Sequence, residues 1–155
     1  MNGDLAMVDD GAQPLYSWLD FHDDARALIE HLRDNAITVT AIVAIPRGGL
    51  VLGTVLSHAF TVPLYVRDHP EGWDLPTTLV VDDNAITGLS LRPFLYAGMN
   101  AAVLVKHPNV DALSSIHYVR ESDEVFLFPW EVEALQDPLP IADVVTHNCD
   151  GPPEE

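Results

Sequence analysis

A strand-like run that leads into two adjacent acids and a Thr-Gly loop most constrains what this chain can fold into. Residues 79–90 read Leu-Val-Val-Asp-Asp-Asn-Ala-Ile-Thr-Gly-Leu-Ser. The apolar run predicts a parallel strand buried on both faces, followed by a loop and the start of a helix. Backbone N–H groups in such a turn favour an anion, and carboxylates suit hydroxyls or a divalent cation. The stretch therefore suggests a site for a phosphorylated sugar with a metal.

The first regular element is predicted to be an amphipathic helix over 17–34. Ser17 and Asp20 form a capping-box pattern at its start, with Asp in place of the usual Glu. Apolar residues follow at helical spacing and indicate a buried face. The opposite face carries acids that we expect to be solvated: Asp20, Asp23, Asp24, Glu30 and Asp34.

Strand and helix patterns alternate along the rest of the chain. Strands are predicted at 41–45, 62–66, 78–81 and 101–105, helices at 50–60 and 89–99, and short strands at 116–119 and 125–128. This alternation predicts an α/β fold with a three-layer core, a parallel sheet covered on both faces. Ligands bind such sheets at the carboxyl ends of the strands. That edge gathers the charged residues that follow the predicted strands: Arg47, Arg67, Asp82, Asp83 and Lys106.

Length and charge limit the domain count and the partners. The 155 residues suit one domain, which we place at 16–131, between an N-terminal arm over 1–15 and an acidic, Pro-containing tail over 132–155. A net charge of −17 argues against binding nucleic acid or anionic membranes. The apolar runs are too short to span a membrane. A single cysteine and an acidic N-terminus favour a reducing, cytoplasmic setting.

Each chemical motif also has an ordinary structural explanation. Pro46–Gly49 suits an anion-binding turn with a fixed cation, and equally a plain strand–helix turn. The Asp82–Asp83 pair repels itself and calls for a cation or hydrogen-bond donors, but acids are also common at helix N-termini. Thr87 and Ser90 suit a monophosphate, or simple N-capping.

Four segments together resemble the type I phosphoribosyltransferases, and are most similar to the xanthine–guanine branch. Val80–Ser90 resembles the phosphoribosyl pyrophosphate signature, and Ile45–Gly53 is similar to the pyrophosphate loop and its helix. Ala102–Lys106 resembles the strand whose terminal lysine meets the purine's exocyclic oxygen. Phe128–Glu131 is similar to the Pro-Trp-acid segment that closes that branch. The four occur in family order, and the resemblance implies the type I phosphoribosyltransferase fold with a short C-terminal hood.

The resemblance implies a role for each group of residues. Asp82 and Asp83 would hold the ribose hydroxyls and Mg²⁺, and Arg47, with Gly48 and Arg67, would bind pyrophosphate. The residues that would cradle the 5-phosphate are Ala85, Ile86, Thr87, Gly88, Leu89 and Ser90. The residues that would contact the purine base are Lys106, Val125, Phe126 and Phe128.

The sequence departs from the resembled pattern at three places. Ile86 stands where the xanthine–guanine pattern has an Asp that serves as general acid or base, and isoleucine cannot do this. The 68–76 segment is short for the loop that closes over the site. Val125 stands where an aromatic residue is usual, and Phe126 is its neighbour. His69 and His107 lie near the predicted site and could supply acid–base chemistry instead.

Two functions of different classes follow from these features. The first is an Mg²⁺-dependent enzyme of purine salvage that transfers a phosphoribosyl group from phosphoribosyl pyrophosphate to guanine, xanthine or hypoxanthine, or to a different acceptor base. The second is a non-catalytic protein that binds phosphoribosyl pyrophosphate or a nucleotide and regulates a partner. By analogy with the resembled family, we expect a homodimer.

Overall fold

A computed structural model describes residues 13–66, 74, 76–110 and 115–131. The first helix, α1, spans Trp18–Asp34 and is capped as the sequence predicts. The Ser17 hydroxyl accepts a hydrogen bond from Asp20 N, and the Asp20 carboxylate accepts one from Ser17 N at 2.8 Å. The capping box therefore fixes the start of α1. The predicted arm over 1–15 and the predicted tail over 132–155 fall almost wholly outside the described residues, and those boundaries stay predictions.

In the described ranges, six parallel strands form one sheet, and a parallel sheet is what the alternating pattern predicts. Their bounds are β1 Ala41–Ala44, β2 Leu64–Val66, β3 Thr78–Val81, β4 Asn84–Ala85, β5 Asn100–Lys106 and β6 Ile116–Glu121. The strand β3 lies between β1 and β5, while β2 and β6 flank them. The central strands are buried because β-branched and small apolar residues fill both of their faces.

The short strand β4 continues the line of β3 along the same edge of β5. Leu79 pairs with Asn100 and Asn84 pairs with Val105, so both strands keep one register against β5. Asp82 and Asp83 form the two-residue interruption between them. The Asp83 carbonyl still accepts a hydrogen bond from Leu104 N at 2.9 Å. The two acids are therefore held by the sheet itself rather than by a free loop.

Helices cover both faces of the sheet. Helices α1 and α2 (Gly49–Phe60) pack on one face in a core that includes Leu28, Leu52 and Leu79. On the other face, helix α3 (Arg92–Tyr96) packs through the fully buried Phe94. The fold is the three-layer α/β arrangement that the sequence predicts. No helix in the described residues has the length and apolarity that a membrane crossing requires.

Two predicted elements differ from the structure. The helix expected over 89–99 is only the five residues of α3, because a loop with Gly88 at a φ of +71° precedes it. The strand expected over 125–128 is absent from this described segment, where Leu127 makes a single bridge to Leu15. Leu127 N also donates to Pro14 O at 2.9 Å, so the segment is held by the chain that enters α1.

The predicted solvated face of α1 is wrong for Asp24. This side chain is buried and accepts hydrogen bonds from Tyr16 Oη and Arg120 Nε, each at 2.6 Å. The same guanidinium donates to Asp20 Oδ1 at 3.0 Å. Arg120 lies on β6, so these contacts fasten α1 to the edge of the sheet. Helical spacing alone could not identify a partner that is 96 residues away.

Candidate active site

The turn after β1 lies directly against the acids that follow β3. The Gly48 backbone is so near the Asp83 carboxylate that a Cβ atom at residue 48 would overlap it. A Cβ at Gly49 would likewise meet the Val81 carbonyl. Glycine at both positions therefore lets the two loops pack together. This contact brings the Arg47 loop beside Asp83, as the strand-edge argument predicts.

Arg47 supplies positive charge at this turn. Its side chain is exposed, and in the described part of the chain no carboxylate pairs with it. The Pro46–Arg47 peptide bond is cis. An unpaired guanidinium at the mouth of a site offers a fork of donors to a bidentate anion such as a phosphate.

Asp83 is buried and Asp82 is partly buried, and no cationic side chain of the described residues pairs with either acid. Burial, followed by the charge of Asp83, raises the pKa of Asp82 to about 7. Burial also raises the pKa of Asp83. The donors that reach them are neutral: Ser90 Oγ lies 3.1 Å from Asp82 Oδ2, and Asn84 N lies 2.8 Å from Asp83 Oδ1. Such a pair is electrostatically unsatisfied, and a cation or a set of hydroxyl donors would relieve it.

Trp130 is a site residue that the sequence reasoning did not identify. Its indole Nε1–H donates to Asp83 Oδ2 at 3.2 Å, across 47 residues of chain. The indole stacks on Phe128, with ring centroids 5.0 Å apart. Glu131 closes this turn by accepting from Phe128 N at 2.7 Å. The Pro-Trp-acid segment over Phe128–Glu131 was the sequence signal for this residue, but only the structure shows that Trp130 contacts Asp83.

The loop between β4 and α3 presents backbone donors. The N–H groups of Thr87, Gly88 and Ser90 have no hydrogen-bond partner among the described residues. A left-handed residue at 88 suits glycine, and a Cβ there would also press on Val110 at 3.1 Å. Free amides grouped in one short loop form a cradle for an anion. These amides belong to the loop before α3, and the longer helix predicted over 89–99 is not needed to supply them.

Arg92 adds a cation to this loop. It begins α3 and lines a cleft together with Thr87 and Gly88. The Arg92 N–H donates to Gly88 O at 3.0 Å, which fixes the helix start against the loop. Sequence reasoning considered only the bases at predicted strand ends and therefore missed this one.

A second cleft opens next to Asn84, the residue that follows the two acids. It is lined by residues from the end of β5, from β4 and from the segment after β6: Asn84, Ala85, Ile86, Val105, His107, Ser122, Glu124, Val125, Phe126 and Phe128. Three of the four predicted base-binding residues, Val125, Phe126 and Phe128, thus lie together. Ile86 is 41% exposed and presents an apolar side chain where an acid is expected from the resemblance. We name this space the apolar cleft.

Lys106 is the predicted base-binding residue that does not line the apolar cleft. Its side chain is buried, and its ammonium lies 3.0 Å from Glu121 Oε2 and 5.1 Å from the centre of the Tyr118 ring. The bond from Lys106 lowers the pKa of Glu121. Contact with a base in the apolar cleft through Lys106 would require this buried side chain to move. Arg67 and His69 lie outside the described residues, so their predicted roles stay predictions.

The acids fit a metal that is shared with a substrate. In the described ranges, no group of three or more His, Cys, Asp or Glu side chains is arranged to hold a metal ion. Mg²⁺, however, is commonly held by one or two carboxylates plus the oxygens of a phosphorylated substrate. Asp82 and Asp83 offer two carboxylates without a cation, which is the donor set that such a site requires.

Known structures share this architecture. No protein-family model matches the chain. A purine phosphoribosyltransferase from Pyrococcus horikoshii is 26% identical, with a TM-score of 0.61 over 76% of this chain and 93% of that one. The xanthine-guanine-hypoxanthine phosphoribosyltransferase of Helicobacter pylori is 22% identical, with a TM-score of 0.68 over 88% and 100%. A hypothetical protein from Neisseria gonorrhoeae with bound ppGpp is 20% identical, with a TM-score of 0.60 over 87% and 96%.

Proposed function

We propose, from the likeness to type I phosphoribosyltransferases, that this chain transfers a phosphoribosyl group from phosphoribosyl pyrophosphate to a 6-oxopurine base. One juxtaposition carries the proposal. The pair Asp82–Asp83, which no cation of the described residues compensates, lies between a loop of free amides and the apolar cleft. These three features suit a ribose, its 5-phosphate and a flat base in that order.

The chain's own groups would bind and orient the donor. Asp82 and Asp83 accept hydrogen bonds from the ribose hydroxyls, and the amides of Thr87, Gly88 and Ser90 donate to the 5-phosphate. Arg47 and the Gly48 backbone hold the pyrophosphate. Asp82 and Asp83 would hold Mg²⁺, which would neutralise negative charge on the leaving group. Positioning and charge stabilisation of this kind account for most of the catalysis that we propose.

The reaction replaces one bond at ribose C1 with another. The bond from C1 to the pyrophosphate oxygen breaks, and its electron pair leaves with pyrophosphate. A ring nitrogen of the base forms the new bond to C1, and its proton passes to solvent water. Ile86 cannot accept that proton, unlike the acid of the resembled pattern. Val125, Phe126 and Phe128 would enclose the base in the apolar cleft.

An acceptor panel tests the proposal. The protein is incubated with phosphoribosyl pyrophosphate and Mg²⁺, with guanine, xanthine, hypoxanthine, adenine or a pyrimidine, at low and high salt. Mass spectrometry should detect the nucleotide of a 6-oxopurine together with pyrophosphate. Omitting Mg²⁺ in the presence of a chelator should abolish the product. Absence of a nucleotide from every acceptor would reject transfer, and product from a different base alone would reject the 6-oxopurine assignment.

A second candidate is a regulatory protein that binds a nucleotide without turnover. The exposed Ile86 side chain in the apolar cleft favours it, because the acid–base group of the resembled pattern is missing there. Calorimetry distinguishes the two functions. Heat of binding for phosphoribosyl pyrophosphate or a purine nucleotide, with no product in the panel, would support the regulator. A homodimer and a cytoplasmic location remain parts of the proposal that light scattering and cell fractionation can test.

A further inference from the structure

His107 is held at the inner edge of the apolar cleft. It directly follows β5, and its backbone N–H donates to Ala85 O at 2.9 Å, which fixes it beside β4. Ile86 and Phe126 line the same cleft. The backbone of His107 is therefore fixed at a cleft whose other lining residues are largely apolar.

One ring nitrogen of His107 already has a partner. Asn109 N–H donates to Nδ1 at 3.1 Å. Since Nδ1 accepts a hydrogen bond, the neutral ring carries its proton on Nε2. The His107 carbonyl accepts from Val110 N at 3.0 Å and lies 3.4 Å from the Lys106 ammonium. The Nε2–H is the polar group of His107 for which the described residues provide no partner.

The neighbouring cation is already engaged elsewhere. The Lys106 ammonium pairs with Glu121 at 3.0 Å, and Lys106 does not line the apolar cleft. Lys106 and His107 are adjacent at the end of the same strand. Of these two residues, only His107 has both a donor without a partner and a place in the cleft wall.

We propose that His107 Nε2–H is the donor that selects an acceptor base with an exocyclic carbonyl oxygen. This inference rests on the proposed function and names the group that reads the base in it. A carbonyl oxygen accepts from Nε2–H. An exocyclic amino group would instead point its own N–H at this donor, which leaves buried donors unpaired, and sites built on such a hydrogen bond discriminate strongly.

Two variants of His107 distinguish recognition of the base by Nε2–H from the structural hydrogen bond that Nδ1 accepts from Asn109 N–H. His107→Asn keeps an acceptor near the position of Nδ1 for Asn109 N–H but removes the donor at Nε2. His107→Gln keeps a donor near the position of Nε2. The measured quantity is the ratio of kcat/KM for hypoxanthine to that for adenine. His107→Asn should lower this ratio roughly 100-fold at an unchanged melting temperature, and His107→Gln should restore most of it.

Control variants assign the effect to His107. His58 is an exposed histidine near the end of α2, outside the cleft lining, so His58→Asn should leave the ratio unchanged. Lys106→Met should also preserve the ratio, whatever it does to the melting temperature. A ratio that collapses in Lys106→Met and survives in His107→Asn would overturn the proposal and assign the reading of the base to Lys106.

A binding measurement decides the case in which no transfer occurs. Nitrogen NMR of ¹⁵N-histidine protein, with His107→Asn to assign the signal, would follow Nε2 as inosine or adenosine monophosphate is added. A response to the inosine nucleotide alone supports the inference, even when the acceptor panel rejects transfer. Equal responses, or no response to either nucleotide, would overturn it. Active transfer with an unchanged ratio in His107→Asn would overturn the inference while the proposed function stands.

Discussion

Two pairs of aspartates in this protein meet opposite environments. Asp20 and Asp24 share Arg120, which donates to both at 2.6–3.2 Å. Hydrogen bonds from Ser17, followed by one from Arg120, lower the pKa of Asp20 to about 2. Within the described part of the chain, Asp82 and Asp83 have only neutral donors, and burial raises the pKa of Asp82 to about 7. Arg120 balances the charge of the first pair, whereas no described residue balances the charge of the second.

The difference separates structural acids from binding acids. The first pair fastens α1 to β6 and needs no ligand. The second pair is held by the sheet at a cost, because two adjacent carboxylates, one buried and one partly buried, repel each other and lack a counter-charge among the described residues. Such an arrangement persists where a ligand completes it, and perturbed carboxylates in a cleft are typical of functional sites. Both pairs can be altered one residue at a time.

Removal of the shared cation should have the largest effect. Arg120→Met leaves the buried Asp24 without its charged partner, which costs about 3 kcal/mol. For a chain of this size the melting temperature should fall by roughly 6–12 °C in calorimetry. Arg26→Met is the matched control, because Arg26 meets Glu30 only at 4.0 Å on the exposed face of α1. Equal shifts for the two variants would show that Arg120 is not a structural partner.

Neutralisation of Asp83 should strongly lower the catalytic activity. Asp83→Asn removes a negative charge that we assign to the ribose hydroxyls and Mg²⁺, so kcat/KM should fall at least about 100-fold, or about 2.7 kcal/mol. Steady-state kinetics measures this, with circular dichroism to verify the fold. Asp23→Asn, at an exposed acid on α1, should leave the rate unaltered. A full rate in Asp83→Asn would remove Asp83 from the mechanism.

Neutralisation of Asp82 should stabilise the ligand-free protein at high pH. The pKa of Asp82 is raised when the protein is folded, so its ionisation penalises folding increasingly from about pH 4 and fully above about pH 7. Asp82→Asn should therefore gain roughly 1–2 kcal/mol at pH 8, because solvent relaxation reduces the full shift, and almost nothing at pH 4. Thermal melts at both pH values test this. A loss of stability in Asp82→Asn at pH 8 would contradict the inference that the Asp82–Asp83 pair lacks a balancing charge.

The smallest expected effect concerns the indole that reaches Asp83. Trp130→Phe keeps a ring against Phe128 but removes the Nε1–H bond, so the KM for phosphoribosyl pyrophosphate should rise about fivefold, the equivalent of one neutral hydrogen bond. Trp18→Phe is the control, because Trp18 contacts the same aromatic cluster without reaching the acids. If both variants give the same KM, the indole serves packing alone.

Local sequence patterns predicted much of this fold. The capping box at Ser17 and the apolar runs at β1, β3 and β5 were confirmed, because each depends on neighbouring residues. The helix over 89–99 was overestimated, since the left-handed backbone at Gly88 delays its start. The strand β4 was missed because two residues become a strand only by extending β3 along β5.

The missing parts of the site depend on contacts distant in sequence. Trp130 meets Asp83 across 47 residues, and Arg120 meets Asp24 across 96. Lys106 was predicted from its place at the end of a strand, but its charge is met by Glu121 on the neighbouring strand. Sequence patterns placed charged residues at the right edge of the sheet. They could not show which of those charges the fold itself neutralises.

Carbon NMR of the aspartate carboxyl groups tests the contrast between the two pairs most directly. The protein is titrated from pH 2 to pH 9, with Asp82→Asn and Asp20→Asn used to assign the two signals. Asp82 should titrate near pH 7 and Asp20 near pH 2. Mg²⁺ with phosphoribosyl pyrophosphate should move the Asp82 midpoint to lower pH. An Asp82 midpoint below pH 4 in the free protein would contradict an unsatisfied, ligand-requiring pair.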